Sequence, residues 1–232
     1  MTLPNGDTLR FTNLRKKLWP KLGLTKGDLI RYYHAVAPLI LPAVDDRPLV
    51  MKRSPNGIDA PYFYQQRHTE PAPKGVRTDI AEGDEHLIGG SLTTLLYMAQ
   101  LAAISQDPWF SRMSHLHHMD YAAIDLDPGD GTTFDDVIDV ARWTHDELER
   151  LDIPAVPKTS GSRGLHIYIP LPKKTTYETG QLLCHLVATL VCAKHPKQAT
   201  IERMVKKRKP GTVYVDYLQN ILGKTLATAY SA

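Results

Sequence analysis

Tyr121-Ala122-Ala123-Ile124-Asp125-Leu126-Asp127-Pro128-Gly129 is the stretch on which the fold turns. Small and apolar residues lead into an alternating Ile-Asp-Leu-Asp, and Pro-Gly ends the run, so it reads as a strand. Side chains alternate faces along a strand, which sends Ile124 and Leu126 into a core and Asp125 and Asp127 to the other side. The α-carbons of the two acids then stand roughly 6.5–7 Å apart. Carboxylates held that close repel, and a shared divalent cation relieves the repulsion; hard oxygen ligands suit Mg²⁺ or Mn²⁺. Two exposed Asp residues at a strand end are the plain alternative.

Outward from this strand, 165–169 and 212–218 also read as strands, with helices between them. Thr133 with Asp136 and Thr176 are the N-cap candidates for those helices. The second helix is expected to bury Leu182, Leu183, Leu186, Val187 and Leu190. Strand, helix, strand, helix, strand suits a small sheet covered by helices on one face, with the other face open for chemistry. Upstream, Thr25 with Asp28 caps a helix, Ser91 caps another, and 48–53 reads as a strand. Residues 71–90, rich in Pro, Gly and charge, read as a long loop. A boundary between halves is expected near 106–119.

A third acid lies in Val213-Tyr214-Val215-Asp216-Tyr217-Leu218, where Asp216 takes the face opposite Val213, Val215 and Tyr217. An Asp inside a β-rich run is unfavourable by propensity and wants a reason. Asp125, Asp127 and Asp216 on adjacent strands would make a three-carboxylate metal site, which suits phosphoryl displacement. Lys158-Thr159-Ser160-Gly161-Ser162-Arg163-Gly164-Leu165-His166 supplies a second element. Its glycines let backbone N–H groups converge on an anion, the serines add hydroxyls, and Arg163 can grip phosphate oxygens. A strand follows rather than a helix, so this is no Walker-type loop. His166 falls on the face away from Leu165 and Ile167.

Composition sets the outer bounds. The chain has 232 residues, 42% hydrophobic and 23% charged, which excludes intrinsic disorder. No apolar run approaches the roughly 18 residues of a membrane span. The N-terminus lacks a basic segment followed by an apolar stretch, so no signal peptide is expected. Cys184 and Cys192 exclude a disulfide framework and a four-cysteine zinc site. A cytoplasmic location follows as the default. The net charge of +3 permits a nucleic-acid partner without demanding one. Basic residues gather at 15–17, 52–53 and 203–209, and each cluster alone reads as a solvated face.

The motifs together resemble the polymerase domain of bacterial ATP-dependent DNA ligase D, in the archaeo-eukaryotic primase superfamily. The resemblance runs nearly end to end. It is carried by Thr12-Asn13-Leu14 with Leu18-Trp19-Pro20, Thr25-Lys26-Gly27-Asp28-Leu29, Asp125-Leu126-Asp127-Pro128-Gly129 and Thr159 to His166. Val215-Asp216-Tyr217-Leu218-Gln219-Asn220 and Gly223-Lys224-Thr225-Leu226 complete it. It implies an α/β (α+β) primase fold whose RRM-like catalytic sheet, over 111–232, is fused to an N-terminal α/β module over 1–110. The two form a single primase-polymerase domain, 1–232, and the N-terminal module would bind DNA ends and 5′-phosphates.

The resemblance also implies residue roles. Asp125, Asp127 and Asp216 would hold two divalent cations, Mn²⁺ or Mg²⁺. Lys52, Ser160, Arg163, His166, Gln219 and Lys224 would bind the nucleoside triphosphate. Lys16 and Lys26 would hold a DNA 5′-phosphate. Arg53, Tyr62 and Phe63 would contact DNA, the two rings stacking on template bases. The implied activity is templated nucleotide addition, ribonucleotides preferred, at gapped or broken DNA ends in repair by non-homologous end joining. Partners would be DNA with gaps or double-strand breaks and, beyond it, an ATP-dependent DNA ligase and Ku; the location would be cytoplasmic and nucleoid-associated. A de novo primase and an end-bridging DNA-binding module with little catalysis are the alternative readings. Three departures stand out: Asp107 where the family commonly has a histidine, Gln66 where a lysine is expected, and an end at Ala232, one position before a usual basic residue.

Overall fold

A computed structural model describes residue 2 and residues 6–232. The chain divides into two compact units, Met1–Ser114 with Thr225–Ala232, and His115–Lys224. The chain returns to its first unit after the second is complete, which a contiguous division at 110/111 does not capture. Ser231 Oγ accepts from the Gln106 N–H at 3.0 Å, and Thr225 bridges to Trp109.

The first unit contains β1 (Lys17–Trp19), β2 (Leu24–Thr25), α1 (Lys26–Val44), β3 (Pro48–Arg53), β4 (Phe63–Gln65), β5 (Thr78–Ala81), β6 (Asp84–Ile88), α2 (Leu92–Gln100) and β7 (Ala103–Pro108). Thr25 caps α1 through a reciprocal capping box with Asp28, and the Ser91 hydroxyl caps α2. Leu29, Tyr33, Ala37 and Ile40 recur at helical spacing on α1 and join the core with Leu95, Leu96 and Ala99 of α2. Strand β3 pairs antiparallel with β4, β6 and β7. The expected loop over 71–90 is partly a hairpin: β5 and β6 pair through Ala81 and Asp84, with Glu82 and Gly83 both at positive φ. Such a turn is what Glu-Gly permits, and tertiary pairing of β6 with β3 secures it.

The second unit contains β8 (Tyr121–Pro128), α3 (Phe134–Arg150), β9 (Val156–Thr159), β10 (Leu165–Pro170), α4 (Tyr177–Lys194), β11 (Ala199–Thr200) and β12 (Val213–Asp216). Strand order is β11-β12-β8-β10-β9. Leaving aside short β11, this is the β-α-β-β-α-β arrangement of ferredoxin-like sheets, with β8 central. Helices α3 and α4 both pack on β8. Ile124, Leu126, Ile167 and Val215 are buried with Val137, Val140, Val187 and Val191 of the helices. The expected face of α4 is rotated: Leu182 and Leu186 are 67% and 50% exposed, while Tyr177, Cys184, Val187, Ala188 and Val191 are buried. A leucine-rich helix offers more than one apolar stripe, and only packing chooses among them. Strand β12 ends at Asp216, and Tyr217 beyond it stacks on His185 of α4 at 4.2 Å.

Candidate active site

Register brings the acids together. Asp125 of β8 lies directly opposite Asp216 of β12 and directly opposite His166 of β10. Opposed residues of antiparallel neighbours share a face, so these three side chains form one row across the sheet. Asp127 lies two residues further along β8 on the same face, opposite Tyr214. Asp125, Asp216 and His166 are buried and Asp127 is exposed.

The row is electrostatically unsettled. Burial, with the like charges of Asp127 and Asp216, pushes the Asp125 carboxyl up to about 8. Its Oδ1 is buried without a hydrogen-bond partner, and His166 Nε2 is 3.6 Å from it. Although the residue reaches solvent, partial desolvation of its carboxyl, then the Asp216 charge, also raises Asp127. Burial pushes His166 down to about 3, helped by Lys158, so this imidazole is neutral at ordinary pH. Asp216 is held firmly: its Oδ1 accepts from the Leu218 N–H at 2.7 Å and the Tyr214 hydroxyl at 3.2 Å, and its Oδ2 accepts from Gln219 Nε2 at 3.0 Å. A buried carboxylate oxygen without a donor beside two further carboxylates fits divalent cations, because cations satisfy both the oxygen and the repulsion.

Beside Asp127 lies a cavity of about 350 Å³, lined by Ser160, Ser162, Arg163, Arg208 and Lys209 among others. The loop that begins it is self-supporting. Ser160 Oγ accepts from the N–H groups of Ser162 and Gly164, and the Ser160 N–H donates to the Gly164 carbonyl. Three backbone donors expected to face an anion are therefore used inside the loop. Arg163 and the Ser162 hydroxyl remain for a ligand. Gly164 must be glycine because a Cβ there would run into the Leu126 carbonyl.

Arg208 and Tyr214 were not singled out by the sequence. Arg208 donates to the carbonyls of Glu202 and Arg203 and stacks over Tyr214, 3.8 Å from the ring centroid. Its charge pulls on Asp127 from that position. The 203–209 cluster carried the signal, but a basic run alone does not separate a site from a solvated face. Lys224 is exposed.

The first unit gathers cations. Lys26 Nζ, buried, donates to the Gln100 carbonyl at 2.9 Å, and Arg53 Nε donates to the adjacent Leu101 carbonyl at 3.0 Å. Both sit at the C-terminus of α2, where unpaired carbonyls and the helix dipole favour positive charge. Burial, then Lys16 and Arg53, lowers the Lys26 ammonium from its ordinary value. Lys16 Nζ donates to Asn56 Oδ1 at 3.0 Å. Lys52 and Arg53 lie over the rings of Tyr62 and Phe63, at 4.2 and 5.2 Å. Tyr62 and Phe63 are exposed rather than core residues, and so is Tyr64 next to them. Asp107 is buried in β7, opposite Val50.

Among the described residues, one group of three ligating side chains has donor atoms within 4.8 Å of each other: His145, Asp146 and Glu149, exposed on α3. It lies on the helix surface and is distinct from the aspartate row. No helix is long and apolar enough to cross a membrane among the described residues.

Comparison with known proteins decides the family. Residues 25–232 match the LigD primase-polymerase domain. The chain belongs to that family. The multifunctional non-homologous end joining protein LigD of Mycolicibacterium smegmatis is 30% identical over 231 residues, 97% of this chain and 30% of the relative. Bifunctional LigD of Bacillus subtilis is 31% identical over 229 residues, 98% of this chain and 37% of the relative. The chain thus spans about a third of the length of these curated relatives. The polymerase domain of Mycobacterium tuberculosis Ligase D, solved in complex with DNA, superposes with a TM-score of 0.88 at 32% identity. That match covers 97% of this chain and 82% of that one. The LigD primase-polymerase domain is a nucleotidyltransferase, and enzymes of this type use divalent metal ions.

Proposed function

We propose that this chain adds nucleotides, directed by a template, at gapped or broken DNA ends, as a repair polymerase of end joining. One observation carries the reading: Asp125, Asp216 and His166 share a row on one face of the sheet, with a buried Asp125 oxygen lacking any donor. Asp125, Asp127 and Asp216 hold two divalent cations, Mn²⁺ or Mg²⁺. Bound there, the cations supply Lewis-acid stabilisation of the oxygens that attack and leave. Gln219, Leu218 N–H and Tyr214 fix the Asp216 carboxylate so that it need not reorganise.

The 350 Å³ cavity takes the triphosphate of the incoming nucleotide. Arg163 grips its oxygens, with Arg208, Lys209 and the Ser162 hydroxyl; Ser160 acts by holding the loop in shape. Neutral His166 binds without adding charge to the row. Lys52 and Lys224 add positive charge for the nucleotide. Lys16 and Lys26 hold the 5′-phosphate of the DNA end, and Lys26 donates to the Gln100 carbonyl, which leaves its charge for a phosphate. Arg53, Tyr62 and Phe63 contact the template, where exposed rings serve stacking. Ribonucleotides are the preferred substrate, a DNA ligase and Ku are the partners, and the protein works at the nucleoid.

The deciding experiment is primer extension across a gap bearing a 5′-phosphate, with Mn²⁺ and each ribo- and deoxynucleotide. Incorporation that Asp125→Ala and Asp127→Ala abolish supports the reading; undiminished incorporation in those variants removes it. Equal use of deoxynucleotides removes the ribonucleotide preference alone.

A further inference from the structure

The first unit holds a second cavity, of about 510 Å³, away from the aspartate row in sequence and in lining. Its volume lies within the roughly 300–1,000 Å³ of small-molecule sites. Tyr64 and Tyr97 line it, and a phenol ring stacks on any base because every base has a π face. Gln66 lines it with an exposed side chain, and a primary amide offers the donor and acceptor pattern that a base edge requires. Gln65 is already engaged within the fold, since its Oε1 accepts from Arg53 at 2.7 Å and its Nε2 donates to the Arg67 carbonyl at 2.9 Å.

His68 also lines the cavity. It is 5% exposed, and both of its ring nitrogens lack hydrogen-bond partners. Its one ring neighbour is the edge of Tyr97, at 6.0 Å. A neutral imidazole carries one donor and one acceptor, and leaving both unmet inside the fold costs free energy. Charge gives the guest its direction. Arg53 lines the cavity and is anchored on the Leu101 carbonyl, one residue from the Gln100 carbonyl that holds Lys26. Arg53 and Arg67 bring two guanidinium groups to the lining and Glu70 one carboxylate, a net positive balance that suits the phosphate of a nucleotide.

We propose that this cavity is a nucleobase pocket, taking an unpaired DNA base beside the 5′-phosphate end held at Lys16 and Lys26. The inference rests on the DNA-end reading above. An unpaired base at a gap has already lost its partner, so moving it out of the stack costs less than extracting a paired one. A free nucleotide carries the same base and phosphate chemistry. The strand is the favoured source because its phosphates, once gripped, keep the base at high local concentration.

The test uses gapped DNA with a 5′-phosphate, carrying either a normal or an abasic nucleotide at the unpaired template position beside that phosphate. The native chain should bind the abasic DNA about tenfold more weakly. Gln66→Trp and Thr69→Trp, at exposed lining positions, fill the cavity and should bind both DNAs equally, at the weaker level. Thermal melting checks that each variant folds, and two independent fillers guard against the failure of one. An equal abasic penalty in native and filled proteins, or none in the native chain, overturns the pocket. Loss of affinity on replacing the 5′-phosphate by a hydroxyl, in every protein, shows that the DNA-end reading stands whatever the pocket does. Its absence sinks that reading instead. Saturating AMP should leave native DNA affinity unchanged; competition by AMP that Gln66→Trp and Thr69→Trp abolish assigns the cavity to a free nucleotide and overturns the strand as its source.

Discussion

In the second unit Asp125 is buried beside two like charges with an oxygen that no donor reaches, whereas in the first unit Lys26 is buried against the carbonyl end of α2. Both places concentrate one sign of charge, but only the cations are partly solvated by the fold itself. Helix-end carbonyls do for Lys26 and Arg53 what no backbone donor does for Asp125. The difference teaches which site depends more on its ligand. The fold answers the charge of Asp216 with three donors and that of Asp127 with Arg208, but it leaves the Asp125 oxygen unmet, and cations provide what is missing. Lys26 is a moderate cost that a phosphate would turn into a gain.

Breaking the acidic side should have the largest effect. Asp125→Ala is expected to lower Mn²⁺-dependent primer extension at least about a hundredfold, as loss of a charge-stabilising group does. Steady-state incorporation across a gap measures it. On the basic side, Lys26→Met should weaken binding to 5′-phosphorylated DNA about tenfold and flatten the dependence of log K on log salt by about 0.9. Fluorescence anisotropy against the 5′-hydroxyl DNA reads the contrast, and equal weakening of both DNAs would count against a 5′-phosphate contact.

A finer cut tests how Asp216 is held. Tyr214→Phe removes one hydrogen bond, so the Mn²⁺ concentration for half-maximal extension should rise about fivefold, equivalent to roughly 1 kcal/mol. An unchanged Mn²⁺ dependence would leave Tyr214 as packing alone.

The smallest effect is on stability and has the opposite sign to the activity loss. Because the folded Asp125 carboxyl is raised to about 8 from 3.8, the folded state keeps a proton that the unfolded chain releases between those values. Its contribution therefore makes the metal-free protein less stable as pH rises from about 4 to 8, with no penalty below. Asp125→Asn should flatten that slope and raise Tm at pH 8, by about 2–4 °C per kcal/mol relieved. Added Mn²⁺ should raise the native Tm more at pH 8 than at pH 5. Melting curves with and without chelator check both statements.

Much of this was legible locally. Thr25, Ser91, Thr133 and Thr176 each cap the helix expected of them, because capping is chemistry within four residues. The Ile-Asp-Leu-Asp alternation placed Ile124 and Leu126 in the core for the same reason. The hairpin at 78–88 and the strand Ala103–Pro108 were hidden, since their pairing with β3 is distant in sequence. The loop over 158–166 was expected to aim backbone N–H groups at an anion, and it differs in detail because Ser160 turns those donors inward.

By itself, then, the sequence determined the caps, the alternating strand, the acids as candidates and the family resemblance. Tertiary structure decided that Asp216 and His166 flank Asp125, that Arg208 folds onto Tyr214, and that α4 turns Leu182 and Leu186 outward. The physical reason is range. Alternation and capping are set by neighbours along the chain, while register between strands and the choice of a helix face are set by packing among segments far apart in it.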